Sequence, residues 1–179
     1  MTPTQVIEQA KKRFDVLYYN DSDALIVMMQ DTMGVFEDRG GAVRSVKIES
    51  PETSIVKPSD FLAVSGVNDA FGIYVDHALT SADIEISGAV INYPVTVNYL
   101  VKFRDFSFDK DLPDESVGLI LKHFAATLAV RNTRRERAVA VAAGLQAELP
   151  SEETLTARVD AIELAIEEAA LIIPMVTVV

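Results

Sequence analysis

The sequence predicts an α+β fold: a helical bundle of two N-terminal and two long C-terminal helices, an inserted antiparallel β domain, and an extended C-terminal tail. Three patterns carry that prediction. Apolar residues recur every three or four positions through residues 1–42 and again through 106–171, the period of a helix with one buried face. Across residues 43–105 the period is two, which marks strands. The last stretch, LIIPMVTVV at 171–179, has Thr177 as its one polar side chain. The chain is therefore divided into a helical hairpin (1–42), a β domain (43–105), long helices that pack with the hairpin (106–171) and a tail (172–179).

Composition narrows the class. With 179 residues and 49% hydrophobic content, the chain is long enough for one domain with its own core. It has no cysteine, which removes disulfides, thiolate metal sites and cysteine nucleophiles, and leaves the cytoplasm as the expected place of synthesis. A net charge of −11 opposes general nucleic-acid binding, which depends on clustered Lys and Arg. The opening MTPTQVIEQAKKRF lacks the charged and apolar regions of a signal peptide, so none is expected. No apolar run reaches the roughly 18 residues that a membrane span needs, so no membrane partner is expected.

Thr2-Pro3-Thr4-Gln5 starts the first helix: Thr2 is the N-cap, Pro3 occupies the first turn, and Gln5 completes a capping box. Ile7, Ala10, Phe14 and Leu17 share its apolar face. Residues 20–23 cap a second helix with the stripe Leu25, Met28, Met29, Met33 and Phe36, which Gly40-Gly41 ends. The clearest strand places Val95, Val97, Tyr99, Val101 and Phe103 on one face. Weaker strands are expected at 43–48, 53–57, 61–64, 71–76 and 82–91, forming a small antiparallel sheet or barrel. Pro113, followed by Asp114 and Glu115 in a first turn that favours acids, begins a long helix running to about Glu148. Its stripe of Val117, Ile120, Leu121, Phe124 and Leu128 crosses Asn132 and Arg135, then resumes at Val139, Ala142 and Leu145. Pro150-Ser151 caps a last helix with Leu155, Val159, Ile162, Ile166, Ala169 and Ile173 on one side. Its other faces carry Glu152, Glu153, Asp160, Glu163, Glu167 and Glu168 against Arg158 alone. Pro174 ends helical competence and leaves the tail extended.

Catalytic chemistry is hard to find. Asp76 and His77 are neighbours on a strand and point to opposite faces, while His123 reads as a surface or core-edge residue. The acids Asp109, Asp111, Asp114 and Glu115 miss calcium-loop spacing. An EF-hand loop starting at Asp109 needs Gly at position 114 and Glu at 120, where the chain has Asp114 and Ile120. No nucleotide-binding, serine-hydrolase or zinc-protease signature is present, so no catalytic residue, cofactor or metal is expected and the chain does not read as an enzyme. One basic cluster stands out: Arg131, Arg134, Arg135 and Arg137, with Glu136 among them. It suits either phosphate contacts or pairing with the acidic last helix, including Glu163 and Glu167, within the chain or across a subunit boundary.

The order of these elements, with the strand VTVNYLVKFRDF, an acidic loop, Leu-Pro and the helix ESVGLILKHFAATLAVRNTRRER, resembles the head-to-tail adaptor proteins of tailed bacteriophages. The likeness is strongest to the tail tubular protein A group, over Val95 to about Glu148, and covers the rest as topology. It implies a virion neck protein that forms a homo-oligomeric ring, dodecameric in the family. Such a ring sits under the portal protein, carries the next tail or nozzle protein, and lines a channel through which DNA passes without sequence recognition. By this resemblance portal docking falls to Ile172, Ile173, Pro174, Met175, Val176, Thr177, Val178 and Val179. Arg131, Arg134, Arg135, Arg137, Glu163 and Glu167 would lie at subunit contacts or the channel. The family's longer polar C-terminus is replaced here by an acidic helix and an apolar strand. A tail-side ring, such as a terminator, completion or stopper protein, is the alternative assembly role; a small-molecule enzyme or binding module is the alternative class.

Energetics also argue for a partner. Six apolar tail residues gain roughly 12 kcal/mol gross if fully buried, at about 2 kcal/mol each. Ordering eight backbone residues costs about 1–2 kcal/mol each, so one tail stands near break-even. Strand addition and multivalent attachment in a ring would tip the balance, whereas folding back as an edge strand on its own sheet is the simpler fate.

Overall fold

The computed structural model describes residues 1–88, 90–145 and 148–170. Four helices and two three-stranded antiparallel sheets appear in the order α1 (Pro3–Lys11), α2 (Ser22–Arg39), β1 (Val43–Ile48), β2 (Ser54–Val56), β3 (Phe61–Asn68), β4 (Asp76–Leu79), β5 (Asp83–Ser87), β6 (Val95–Val101), α3 (Asp114–Ala142) and α4 (Glu152–Ala170). The expected α+β architecture is the observed one.

The capping signals act as read. Thr2 Oγ1 accepts from the Gln5 amide at 3.3 Å while Gln5 Oε1 accepts from the Thr2 amide at 3.0 Å. Asp21 Oδ1 accepts from the amides of Asp23 and Ala24 at the start of α2, and Ser151 Oγ accepts from Thr154 N at 3.1 Å at the start of α4. α1 is shorter than its stripe suggested. Phe14 and Leu17 pack against the core from the irregular segment that follows it.

Two hydrophobic clusters organise the chain. The first joins Val6 and Ile7 of α1, Leu25, Met29, Met33 and Phe36 of α2, Ile120, Phe124 and Leu128 of α3, and Ile166 of α4 to Tyr99, Val101 and Phe103 at the end of β6. The second lies between the sheets, where Val64, Val67, Val95 and Val97 meet Ile84 and Ile86 of β5. The sheets have strand orders β1-β6-β3 and β2-β5-β4. Along β6, buried Val95, Val97, Tyr99 and Val101 alternate with half-exposed Thr96, Asn98 and Leu100.

Three expectations need correction. The stretch 71–76 is no strand: Asp69 Oδ1 accepts from the amides of Phe71 and Ile73, both at 2.9 Å, and Gly72 sits at φ +79°, so a turn replaces the ladder until Asp76. Phe71, Ile73 and Tyr74, which suggested a strand, are instead displayed to solvent, while Val75 turns into the core between the sheets. The segment 82–91 contributes only Asp83–Ser87. The long helix ends at Ala142 rather than near Glu148, because Gly144 at φ +68° closes a Schellman motif, with Leu145 N donating to Ala140 O and Gly144 N to Val141 O.

α4 approaches α2 closely where glycine leaves room. A Cβ on Gly40 would stand 2.7 Å from Ile166 Cγ2 and 3.1 Å from Phe36 O. Ile166 is β-branched and fully buried, so it cannot swing aside. Gly40→Ala should lower stability by about 1–3 kcal/mol, read as a lower urea midpoint, through overpacking of this contact. An unchanged midpoint would mean that α4 does not bear on Gly40 in solution.

Candidate functional site

α3 changes character at Asn132. Up to that point it buries residues in every turn, most densely from Ile120 to Leu128, and after it none of the described helical residues is buried. Asn132 itself is 4% exposed and fully engaged: its Oδ1 accepts from the amides of Tyr18 (2.7 Å) and Tyr19 (3.1 Å), and its Nδ2 donates to Val16 O (3.2 Å). The side chain thus satisfies backbone groups of an irregular segment, which explains a polar residue in an apolar stripe. Beyond it, residues 133–142 extend for about 15 Å at 1.5 Å per residue. The stripe expected to resume there does not find a core: Val139 and Leu145 are 49% and 66% exposed and Ala142 is exposed, as is Val141 beside them at 72%.

The arginine cluster lies on this projecting segment. Arg134 pairs with Glu152 at the start of α4, and Arg137 Nη2 donates to Pro150 O at 2.9 Å. These two close the α3–α4 connection, and Arg134, through its hydrogen bond first, holds the Glu152 carboxyl below the usual range. The Arg134–Glu152 pair is about half exposed, so solvent screens it and it adds little to stability. Arg131 and Arg135 are exposed and form no ion pair among the described residues. Glu163 and Glu167 have a different partner from the cluster: both pair with Arg39 at the end of α2. Glu163 also meets His123 Nε2 at 3.3 Å, while His123 Nδ1 lies 3.2 Å from Thr32 Oγ1. The network Thr32–His123–Glu163–Arg39 fastens α4 to α2 and α3. His123 is buried, at the core-edge position its sequence context allowed. His77 sits on β4, with Nδ1 3.4 Å from the Tyr74 hydroxyl.

Two grooves flank the helices. One, of about 610 Å³, is a trough of Ala125, Ala126, Ala129 and Ala165 bordered by Arg13, Lys122 and Arg158. The other, of about 710 Å³, lies between the helices and the outward face of the β1-β6-β3 sheet, with Val43, Gly66 and Asn98 on its floor. Neither includes the His123 network. A third surface feature is the turn after β3, where Phe71, Ile73 and Tyr74 are 61–77% exposed. Its geometry is fixed by Asp69, whose carboxyl is held below the usual range by Asn92 Nδ2 at 2.7 Å and by the two turn amides.

Asp60 is a residue that sequence reasoning missed. At 4% exposure its carboxylate meets Arg44, Lys110 Nζ (3.1 Å) and the Tyr99 hydroxyl (3.3 Å), and Arg44 Nη2 continues to Asp111 O at 2.7 Å. This cluster ties the sheet to the loop that leads into α3. Its members are dispersed from Arg44 to Asp111, and no local pattern marks them. Among the described residues no group of His, Cys, Asp or Glu is arranged to hold a metal ion, and no helix is long and apolar enough to cross a membrane. The tail, Ile172 to Val179, lies outside the described residues.

No protein-family model matches the chain, and a search of curated proteins finds no match.

The Asp60 cluster sets a pH dependence. Burial pushes its carboxyl up, but Lys110, its own backbone amide and Arg44 together outweigh that and lower it below the ordinary value of 3.8. A lowered carboxyl stabilises the fold above the unfolded-state value, and that contribution disappears as pH falls through the folded value. Asp60→Asn should therefore cost about 1.5–3 kcal/mol at pH 7. The gap between variant and parent, measured by urea denaturation, should stay flat from pH 8 to 5 and narrow below about pH 4. A gap that does not narrow would remove the charge from the explanation.

Proposed function

We propose that this chain is a structural ring component of a tailed-bacteriophage neck, a head-to-tail adaptor between the portal and the tail. The observation that carries the reading is the projecting α3–α4 hairpin. Val139 and Ala142 are three residues apart on one helix face yet stand exposed, with exposed Val141 and Leu145 close by, so the fold leaves an apolar end that a second copy would cover. Full burial of such side chains stabilises by about 1.5–3 kcal/mol each, and repetition around a closed ring makes modest contacts durable. The element order supports the adaptor form of the reading: two helices, inserted sheets, β6, the loop 102–113, then a 29-residue helix.

In this reading the ring grips the portal through Ile172–Val179, and its other face receives the next tail protein. Exposed Arg131 and Arg135 flank the neighbouring subunit or the channel, within a chain whose net charge of −11 lets DNA pass without adhering. No step of this role requires a cofactor or a reaction.

Native mass spectrometry of the protein mixed with portal rings from the same genome, beside a version ending at Leu171, tests the assignment. The full-length chain should add in one fixed stoichiometry and the shortened chain should not. Val141→Glu should abolish the ring while leaving the monomer folded by circular dichroism. Binding by neither length would sink the portal-side role and direct the same assay to tail-tube proteins.

A further inference from the structure

The turn between β3 and β4 is an apolar knob on a fixed backbone. Phe71, Ile73 and Tyr74 are exposed, yet the chain that carries them is tied throughout. Asp69 N donates to Ile73 O at 2.8 Å, Gly72 N to Asp69 O at 2.9 Å and Ala70 N to Asn92 O at 2.9 Å, besides the two amides that the Asp69 carboxylate holds. Val75, buried between the sheets, anchors the exit. Aromatic rings displayed on so ordered a backbone lose little freedom when they dock, which is the property of an interface anchor.

The knob stands in an acidic region. No Lys or Arg occurs between Lys57 and Lys102. Asp76 follows the turn, and Glu85 lies opposite Ala78 on the adjoining strand, so the register puts both acids on one face of the sheet, where both are exposed.

The trough between α3 and α4 has the opposite character. Phe14, Ile162 and four alanines line it, Arg13, Lys122 and Arg158 border it, and its lining contains no acid. At about 610 Å³ it falls within the roughly 300–1,000 Å³ of pockets that enclose compact apolar groups. The larger groove lacks this complement, because its one charged lining residue is Glu115. Asp76, Glu85, Arg13, Lys122 and Arg158 form no ion pair among the described residues. One chain thus carries an acidic apolar projection and a basic apolar recess, both unmatched.

We propose that the Phe71–Tyr74 turn of one copy docks in the α3–α4 trough of a second copy, with Asp76 and Glu85 set against Arg13, Lys122 and Arg158. Opposite charge around an apolar centre makes another copy the fitting occupant and sets the direction of the contact. Each copy gives one turn and receives one, as a head-to-tail ring requires. An aromatic side chain buries roughly 150–250 Å², so the turn alone stays below the roughly 800 Å² per partner of a stable complex. It acts together with the exposed end of α3, and the proposal therefore rests on the ring reading and names the surfaces that meet.

Because the chain has no cysteine, introduced thiols report the contact directly. Chains with Ala70→Cys, beside the knob, are mixed with chains carrying Ala161→Cys, in the trough lining, and treated with a short bismaleimide; both positions are exposed. The mixed product should exceed either like-with-like product at least tenfold. Asp76→Lys with Glu85→Lys in the first chain should lower it at least fivefold, and Lys122→Glu with Arg158→Glu in the second should restore it. All four charges are on the surface, so circular dichroism should be unchanged by these reversals. Mixed product at its random proportion, or no response to charge reversal, would overturn the proposal. Predominant linking of two Ala70→Cys chains would overturn it in favour of contact between turns. A ring in native mass spectrometry without the mixed product keeps the ring and removes this contact, whereas mixed product without portal binding keeps the contact and removes the portal role.

Discussion

Both hydrophobic cores meet on one strand. β6 gives Val95 and Val97 to the core between the sheets, and its end gives Tyr99 and Val101, followed by Phe103, to the helical core. It is also the central strand of its sheet, paired on both edges. A slip of one residue would turn every inward side chain of β6 outward and damage both cores together. The helical layer and the β part are therefore bound by the register of seven residues.

Polar groups secure what this strand joins. Glu37 of α2, largely buried, accepts from the Phe103 amide at 2.7 Å and the Arg104 amide at 2.9 Å, and pairs with the Arg104 side chain at 3.1 Å. The chain leaving β6 is thus pinned against α2 where its ladder ends. Asp60 does similar work one step later for the loop before α3, and Asn132 for the segment between α1 and α2. In each case one side chain satisfies several groups that lack a regular partner, the condition under which a polar residue is stable in an interior.

What the sequence disclosed follows from which forces are local. The caps at Thr2, Asp21 and Ser151, the period-two run of β6 and the apolar stripes of α2 and early α3 depend on neighbours within a few residues, and they were legible. The turn at Asp69 misled because Phe71, Ile73 and Tyr74 have strand-forming side chains, while the decisive event is one carboxylate capturing two amides. The exposed end of α3 was read as a buried stripe because spacing reveals an apolar edge and not what covers it. The arginine cluster could be read only as two alternatives. Arg134 does meet an acid of the last helix, yet Glu163 and Glu167 turn to Arg39, a choice fixed by tertiary packing. The Asp60 cluster and the groove around Gly66 are assembled from distant segments, which places them beyond any reading of spacing.

The anchoring of α4 has a further consequence. Of its nineteen residues only Ile166 is buried and Ile162 partly so, and the polar ties are the ion pairs to Arg39, the contact with His123 and the clasp at Glu152. A helix held at so few points opens at a free energy well below that of the whole fold. α4 is then its own cooperative unit, able to lift while β6 and both cores stay intact. The lifetime of the chain against proteases is then governed by the lifting of one helix and not by global unfolding.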